Sequence, residues 1–389
     1  MTRPQAPAAA YTSTLAAWQQ QLARALATRR RLGWTRLLVF VAAAAAAIVV
    51  FGESGAWGLL PAGGGLALLL RLVVLDVNNG VRIRHLRILI ALNEEELRCL
   101  DHRFHDRFDG AGFEPHEHPY AHDLDLFGPA SLYQWIHRCG TEPGQARLAE
   151  DLLTALPGPV IEGRQQLVEE LAPQLEWRQE FYARARRSTL RTDTGRRAVE
   201  WAATEEKHFT APTWSLFSNA FAVVMTGAAV ATFAGLLAAP VFSMIYGVAL
   251  ATSLLLSRQT MGPYRQLGGI VPEIETLRDL LRHIEARPSG NPLWNEWTRA
   301  AMSDGQSAAG AIHQLKAILD RFDLRLNIMG LLVLNPFLLW DVRQVIALNA
   351  WRRRHGAHVE QWFALVAEAE VWNTLATLRF NQPEWCLPR

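Results

Sequence analysis

From His208 to Ser257 the chain runs fifty residues without one Asp, Glu, Lys or Arg. No other feature restricts the fold as strongly. One crossing of a bilayer takes about 20 apolar residues, so this block has room for two helices and a tight turn. Pro240, after Ala238 and Ala239, is a natural turn or break. The alternative is a buried core hairpin of a soluble protein. A second apolar stretch lies upstream. Leu37 to Gly52 reads LLVFVAAAAAAIVVFG, Glu53 interrupts, and Ser54 to Leu70 is uncharged again up to Arg71. Each run is close to the lower limit of about 17 residues for a span. A signal peptide fits poorly, because the first run begins after more than thirty residues and a second follows at once.

Arginines set the expected orientation. Arg24, Arg29, Arg30, Arg31 and Arg36 precede the first run, and Arg71, Arg82, Arg84 and Arg87 follow the second. Arg196, Arg197 and Lys207 precede the fifty-residue block, and Arg258 and Arg265 follow it. Neither inter-span turn carries a basic residue. The positive-inside rule then gives two transmembrane hairpins with both termini and the soluble mass in the cytoplasm of a bacterial inner-membrane protein. Trp34, Trp57 and Trp214 fall at span ends, where an amphipathic ring is favoured. The spans hold no ionisable residue apart from Arg71 at an edge, which argues for anchoring rather than transport.

The remaining chain reads as helices without convincing strand alternation, so the expected class is all-α. Asn93, followed by Glu94, Glu95 and Glu96, reads as a helix start running to about Asp109-Gly110. Gly112 to Gly128 reads as a polar loop. Ser131 to Cys139 and Gln145 to Leu156 read as short helices, and Ile161 to Ala185 as a longer one interrupted at Pro173. Pro272 can open a helix in which Ile274, Leu277, Leu281 and Ile284 form a narrow apolar stripe. Leu326 to Trp340 is uncharged but too short to span and is expected to be buried core. Val359, Trp362, Val366 and Leu375 are expected on one face of a last helix. The expected division is 1–33 an N-terminal cytoplasmic helix, 34–75 and 208–257 the two hairpins, and 76–207 and 258–389 two helical parts of one cytoplasmic domain.

Composition excludes several kinds of chemistry. Cys99, Cys139 and Cys386 are odd in number and lack CxxC spacing, which excludes a disulfide scaffold and a cysteine zinc site. A net charge of +2 gives no strongly basic nucleic-acid binder. Of 39 basic residues only Lys207 and Lys316 are lysines, and neither stands in a glycine-rich phosphate loop. His102, His105, His116, His118 and His122 gather with Asp101, Asp106, Asp109, Glu114, Glu117, Asp123 and Asp125. Imidazoles with carboxylates suit zinc or iron, which makes His102, His105, His118 and His122 candidate ligands of a metal-dependent membrane enzyme. Their spacing matches no closed motif, and an ordinary polar loop is the competing reading. Arg184, Arg186, Arg187, Arg191, Arg196 and Arg197 could grip the phosphates of DNA or of anionic lipid, or be a solvated helix face beside a span. Arg352, Arg353 and Arg354 pose the same choice on a smaller scale.

One stretch is distinctive: His118-Pro119-Tyr120-Ala121, Asp123-Leu124-Asp125-Leu126-Phe127-Gly128, then Ser131-Leu132-Tyr133-Gln134, Thr141, Gly144, Leu148-Ala149, Arg164-Gln165 and Glu170-Leu171-Ala172. It resembles the core or lever domain of the DNA mismatch repair MutS family, and more closely the membrane-bound bacterial MutS-related proteins. Leu324-Arg325-Leu326-Asn327, Leu334-Asn335-Pro336, Trp340-Asp341 and the tail Asn381 to Pro388 agree with that resemblance. It implies a structural and coupling role, without catalysis by these residues. It also implies a homodimer, and a C-terminal P-loop ATPase module beginning soon after Pro388 that would bring ATP and magnesium. The chain stops at Arg389, so a fragment or a truncated gene is expected. The sequence departs from soluble relatives in two ways. A membrane hairpin occupies the front of the chain in place of a mismatch-reading domain, with Phe51-Gly52-Glu53 falling between its two apolar runs, and an uncharged block stands where lever helices would carry a DNA clamp. Within the distinctive stretch, Tyr120, Asp123 and Asp125 are expected to hold the core together, with Leu124, Leu126 and Phe127 buried and the carboxylates meeting backbone donors or arginines.

Overall fold

A computed structural model describes residues 7–188, 190–204, 209–268, 271–303, 305–324 and 330–387. Lys207, His208, Arg325, Leu326, Asn327, Pro388 and Arg389 lie outside the described residues, as does the side chain of Arg265. The described chain is helical, with no strand beyond one isolated bridge between Ser303 and Gln306. It forms two compact units interleaved along the sequence: 1–136, 174–187 and 378–386 in the first, and 137–173, 188–377 and 387–389 in the second.

The first unit is dominated by two long helices, α1 (Pro7–Ser54) and α2 (Leu59–Leu100). At 1.5 Å per residue they are about 72 and 63 Å long, roughly twice what a bilayer core requires. Their apolar parts are bare: Leu38, Ile48 and Val49 of α1 and Leu59, Leu60 and Leu66 of α2 all stand exposed. Such a surface on a soluble protein would be an aggregation site, and on a membrane span it faces acyl chains. The two helices approach closely where small residues meet, and a Cβ at Gly65 would collide with Ala43. Beyond the apolar part the pairing turns polar. Asp76 meets Arg36 at 3.1 Å and Arg29 at 3.9 Å, and Asn79 donates to the Ala25 carbonyl at 2.9 Å. Trp18, Leu22, Ala25, Ile83 and Leu86 then form a small apolar seam.

α2 does not start at Asn93. It runs unbroken through that residue and ends at Leu100, because Asn93 is buried and has partners inside the helix body. Its Nδ2 donates to the Leu89 carbonyl at 2.7 Å and to Gln179 on α6 (Leu175–Ala185), whose own amide donates back at 2.9 Å. A reciprocal amide pair makes the apparent cap an interior residue. The short helix near Ser131 is only α3 (Leu132–Ile136).

The second unit is built round α15 (Val359–Asn381), which lies within it as far as Thr377. Around it stand α4 (Glu142–Leu153), α5 (Gly158–Leu171), α7 (Thr192–Ala203), α10 (Val271–Glu285), α11 (Pro292–Ala300), α12 (Ala308–Asp323) and α14 (Trp340–His355). The interruption near Pro173 occurs as expected, between α5 and α6. The α10 stripe is buried as expected, and Leu280 joins it. The last helix departs from the one-faced pattern. Leu375 is only half-buried, whereas Glu368, Glu370, Asn373 and Thr374 are buried, so α15 is covered on every side. Trp351 and Trp362 pin neighbours to the core by donating to the carbonyls of Ala311 and Ala301 at 2.7 and 2.8 Å. The second apolar hairpin belongs to this unit, as α8 (Thr213–Phe233) and α9 (Ala239–Gly268). Gly235, at φ +74°, turns the chain between them, and Phe233 and Leu236 stand bare at the tip. The described residues thus contain four helices long and apolar enough to cross a membrane, two in each unit.

Candidate functional site

The place where the second hairpin joins its helical core holds the most specific polar geometry in the chain. After α12 the described chain resumes at Gly330 with a turn of π-helix (Gly330–Leu334) and the single-turn α13 (Asn335–Leu338). Leu339 then adopts a left-handed conformation (φ 48°, ψ 49°), and the axis bends by 71° into α14. Non-glycine residues avoid that region, so the surroundings must hold the bend. They do so with hydrogen bonds. Asn335 and Asp341, both buried, flank the bend, and the Asp341 N–H donates to Asn335 Oδ1 at 3.2 Å. Ser257 of α9 donates to Asp341 Oδ2 at 2.7 Å, and Asn335 Nδ2 donates to Ser257 Oγ at 2.8 Å and Asp341 Oδ2 at 3.2 Å. Arg343 completes the layer on α8. Its guanidinium donates to the carbonyls of Leu338 at 2.7 Å and Ser218 at 2.9 Å. Both helices of the hairpin are thereby tied to the start of α14.

A second polar assembly lies inside the same unit, on α15. Glu370 is fully buried and accepts hydrogen bonds from the N–H of Gly140 at 2.7 Å, the N–H of Thr141 at 3.3 Å and the hydroxyl of Thr141. Thr141 also caps α4 by accepting from the Gly144 N–H at 3.1 Å. A Cβ at Gly144 would strike the Glu370 carboxylate, so the close approach requires glycine. Desolvation outweighs the three hydrogen bonds and pushes the Glu370 carboxyl up to about 7. Two residues earlier Glu368 pairs with Arg147 at 2.7 Å and Arg164 at 2.9 Å, and Asp151 pairs with the same two arginines. Burial pushes Glu368 upward too, against the pull of both arginines. The unit also has an apolar pocket, lined by Trp201, Leu277, Ile312, Trp351, Trp362 and Phe363 among others. Its lining offers no acid, base or hydroxyl.

The residues singled out in the sequence land elsewhere. His102, His105, His116 and His122 are exposed, and His105 stacks on Phe104. His118 uses Nδ1 to accept the N–H groups of Tyr120 and Ala121 at 3.4 and 3.2 Å, so it closes a turn with Pro119 in it. No three His, Cys, Asp or Glu among the described residues converge on a metal-sized gap. Asp123 and Asp125 are exposed, and Leu124 is bare too, contrary to the burial expected of it. Only the backbone of Asp125 takes part in the loop, at φ 46°, accepting the Leu132 N–H at 3.0 Å. Leu126 and Phe127 are buried as expected. Holding the loop falls to Tyr133 and Gln134. The fully buried Tyr133 ring packs on Phe108, Phe113 and Phe127, and Gly110 passes so close that a Cβ there would strike it. Gln134 donates to the carbonyls of His105 and Arg107 at 3.1 and 2.7 Å and accepts the Ala130 N–H at 2.7 Å. Gly128, at φ +92°, turns the chain between Phe127 and that helix.

The six arginines are divided. Arg184, Arg186 and Arg187 belong to the first unit, and Arg191, Arg196 and Arg197 to the second. Arg184 pairs with Glu180 and Arg186 with Glu95, while Arg196 and Arg197 share Asp193. The Arg196 hydrogen bond, with Arg197 beside it, holds the Asp193 carboxyl below its usual range. Arg352 lies over the Trp201 ring at 5.6 Å. Acids are thus interleaved with Arg184, Arg186, Arg196 and Arg197.

No family model, curated protein or solved structure matches this chain.

Neither polar assembly was readable in the sequence as chemistry. Glu368 and Glu370, two residues apart in the run Ala-Leu-Val-Ala-Glu-Ala-Glu-Val-Trp, are charges in an otherwise apolar helix. That pattern signals buried, partnered carboxylates. Ser257 gives no such signal, because its role depends on where α9 meets a segment almost eighty residues later.

Proposed function

We propose that this chain is a membrane-anchored coupling module. Its two hairpins hold it in a bilayer, and its helical core receives or delivers mechanical change at the base of the second hairpin. The observation that carries this reading is the layer of Ser257, Asn335, Asp341, Arg343 and Ser218. It links both helices of an apolar hairpin to the bend and α14 through three hydrogen bonds, braced by two more within the bend itself. A passive anchor needs only apolar surface, whereas a buried, directional joint transmits position. The MutS-like motifs support the same reading: in that family a helical core relays motion generated by an ATPase module. On this proposal the chain itself performs no catalysis, and the nucleotide chemistry belongs to a module outside these residues. The arginine distribution supports an inner-membrane location with both termini and the helical mass in the cytoplasm.

The test is to change the bilayer and read the core. The protein is reconstituted in vesicles of short-chain and long-chain phosphatidylcholine, and amide hydrogen exchange is followed in α14. The coupling reading expects α14 protection to change with bilayer thickness in the native chain and to lose that dependence in Asn335→Ala. Equal protection in both bilayers would remove the coupling role and leave an anchor.

A further inference from the structure

The segment Gly330–Leu338 is too short to cross a bilayer, and its sequence predicts buried core. The structure gives it a different setting. It packs against α8 and α9, the two apolar helices of the second hairpin. Leu332 and Val333 are 41% and 44% exposed, although no charged residue lies between Gly330 and Trp340. Two contacts fix its depth along α9. Asn335 bonds Ser257, near the end of the apolar stretch. Leu332 bonds Tyr246, whose hydroxyl donates to the Leu332 carbonyl at 2.6 Å, and the Tyr246 ring also meets Phe337 at 6.2 Å. Ser257 and Tyr246 are eleven residues apart, about 16 Å along a helix. The segment therefore lies alongside α9 between the levels of Ser257 and Tyr246, with the Tyr246 phenol reaching across to it.

The Tyr246 bond has a specific cause. In an α-helix the Leu332 carbonyl would accept from the residue four positions on, which is Pro336 and has no N–H. The chain answers with a turn of π-helix and a phenol from the neighbouring helix. In water such a carbonyl would be hydrated at no cost. In hydrocarbon it must find a protein donor, and irregular backbone persists there only when its polar groups are satisfied internally. A hydroxyl donor on an apolar helix, aimed at the one carbonyl that proline deprives, is what membrane depth demands.

We infer that Gly330–Leu338 is a re-entrant element, a fifth membrane-embedded segment that enters the bilayer beside α9 without crossing it and presents Leu332 and Val333 to lipid acyl chains. This rests on the reading that α8 and α9 span a bilayer. It would give the joint at Asp341 a membrane-inserted arm on one side and the core helix α14 on the other.

Spin-label accessibility decides the matter. Single cysteines are placed at Leu332, Val333, Val224 (exposed on α8) and Met302 (exposed on the helical core) in a Cys386→Ser background, where the remaining Cys99 and Cys139 are buried. Each labelled protein is reconstituted in phosphatidylcholine–phosphatidylglycerol vesicles. Collisions with oxygen, which concentrates in the bilayer, are compared with collisions with a water-soluble nickel chelate. The inference expects Leu332→Cys and Val333→Cys to match Val224→Cys in their oxygen-to-nickel ratio, severalfold above Met302→Cys. A Met302-like ratio at both positions, with Val224→Cys still oxygen-dominated, would overturn the re-entrant segment and leave the spans standing. Nickel access at Val224→Cys would overturn the spanning hairpin and the inference with it.

Discussion

The two apolar hairpins solve the same problem by different means. The first continues straight into its unit: α2 is one helix from Leu59 in the apolar region to Leu100 beside α6, so backbone hydrogen bonds alone carry rigidity from one to the other. The second also runs on into its core as α9, but adds side chains at the junction, through the Ser257–Asn335–Asp341–Arg343 layer and a left-handed bend at Leu339. A continuous helix transmits position but has no defined place to yield. A side-chain joint concentrates the connection in a few bonds, which can be made, broken or tuned. The contrast predicts that single substitutions near hairpin 2 disturb the core far more than equivalent ones near hairpin 1.

The largest effect is expected at Asp341. Removing it as Asp341→Ala leaves Ser257 and Asn335 facing a cavity without their acceptor, at a cost of about 3–5 kcal/mol. Thermal unfolding of the detergent-solubilised protein should show the second unit melting early. Asp76→Ala in hairpin 1 removes ion pairs to arginines that are 32% and 57% exposed to solvent, and should cost under about 1 kcal/mol. Equal losses from the two variants would erase the distinction between a joint and a continuous strut.

The units should also differ in their response to pH. Glu370 of the second unit has its folded carboxyl pushed from 4.5 up to about 7, so the folded state holds that proton more tightly than the unfolded chain. Stability from this source is complete below about pH 4.5 and is lost as pH rises to about 7, a change on the order of 3 kcal/mol. In the first unit Glu95, Glu180 and Asp76 each sit opposite an arginine or histidine. Unfolding at pH 5 and pH 8 should therefore lower the second unit's transition at the higher pH, and Glu370→Gln should flatten that difference. A pH-independent second transition in the native chain would contradict the buried, proton-holding carboxyl.

What the sequence made legible follows the range of the interactions. The four apolar helices, the break near Pro173 and the α10 stripe depend on neighbours within a few turns, and each was readable from spacing or charge. Asn93 misled because a cap and an interior amide look alike until Gln179, 86 residues away, is seen to pair with it. Asp123 and Asp125 misled for the opposite reason. Alternating Asp-Leu suggested one buried face, but a left-handed residue at Asp125 breaks the alternation and leaves Leu124 outside. The candidate site required contacts across 78 and 84 residues, Ser257 to Asn335 and Ser257 to Asp341, for which no local pattern exists.

A third expectation probes packing inside hairpin 1. Gly65 lies where a Cβ would overlap Ala43, so Gly65→Val must push α1 and α2 apart, a change of about 1–3 kcal/mol by analogy with overpacked cores. Cross-linking between cysteines placed at Ala25 and Asn79, beyond the apolar region, reports whether the strain travels. A continuous pair of helices should pass it on and slow the cross-link. An unchanged rate would mean that hairpin 1 absorbs strain locally instead of passing it along its helices.

The smallest effect expected is at Tyr246, and it is the most discriminating. Tyr246→Phe keeps the ring against Phe337 and removes only the hydroxyl that serves the Leu332 carbonyl. In water the carbonyl would recover a partner from solvent and the change would be nearly silent. At membrane depth recovery is harder, although hydrogen bonds measured inside bilayers average only about 0.6 kcal/mol. The expected loss is therefore about 1 kcal/mol, too small to read safely from unfolding alone. Mobility is the better readout, because a carbonyl without a donor lets the π-turn loosen. A spin label at Val333→Cys should become more mobile in the Tyr246→Phe background. Thr252→Val, on the same helix, serves as the control, since Thr252 bonds only the Val248 carbonyl of its own helix. Mobility unchanged by Tyr246→Phe, or raised equally by Thr252→Val, would show that the phenol does not hold the segment. The joint at hairpin 2 would then depend on the Asp341 layer alone.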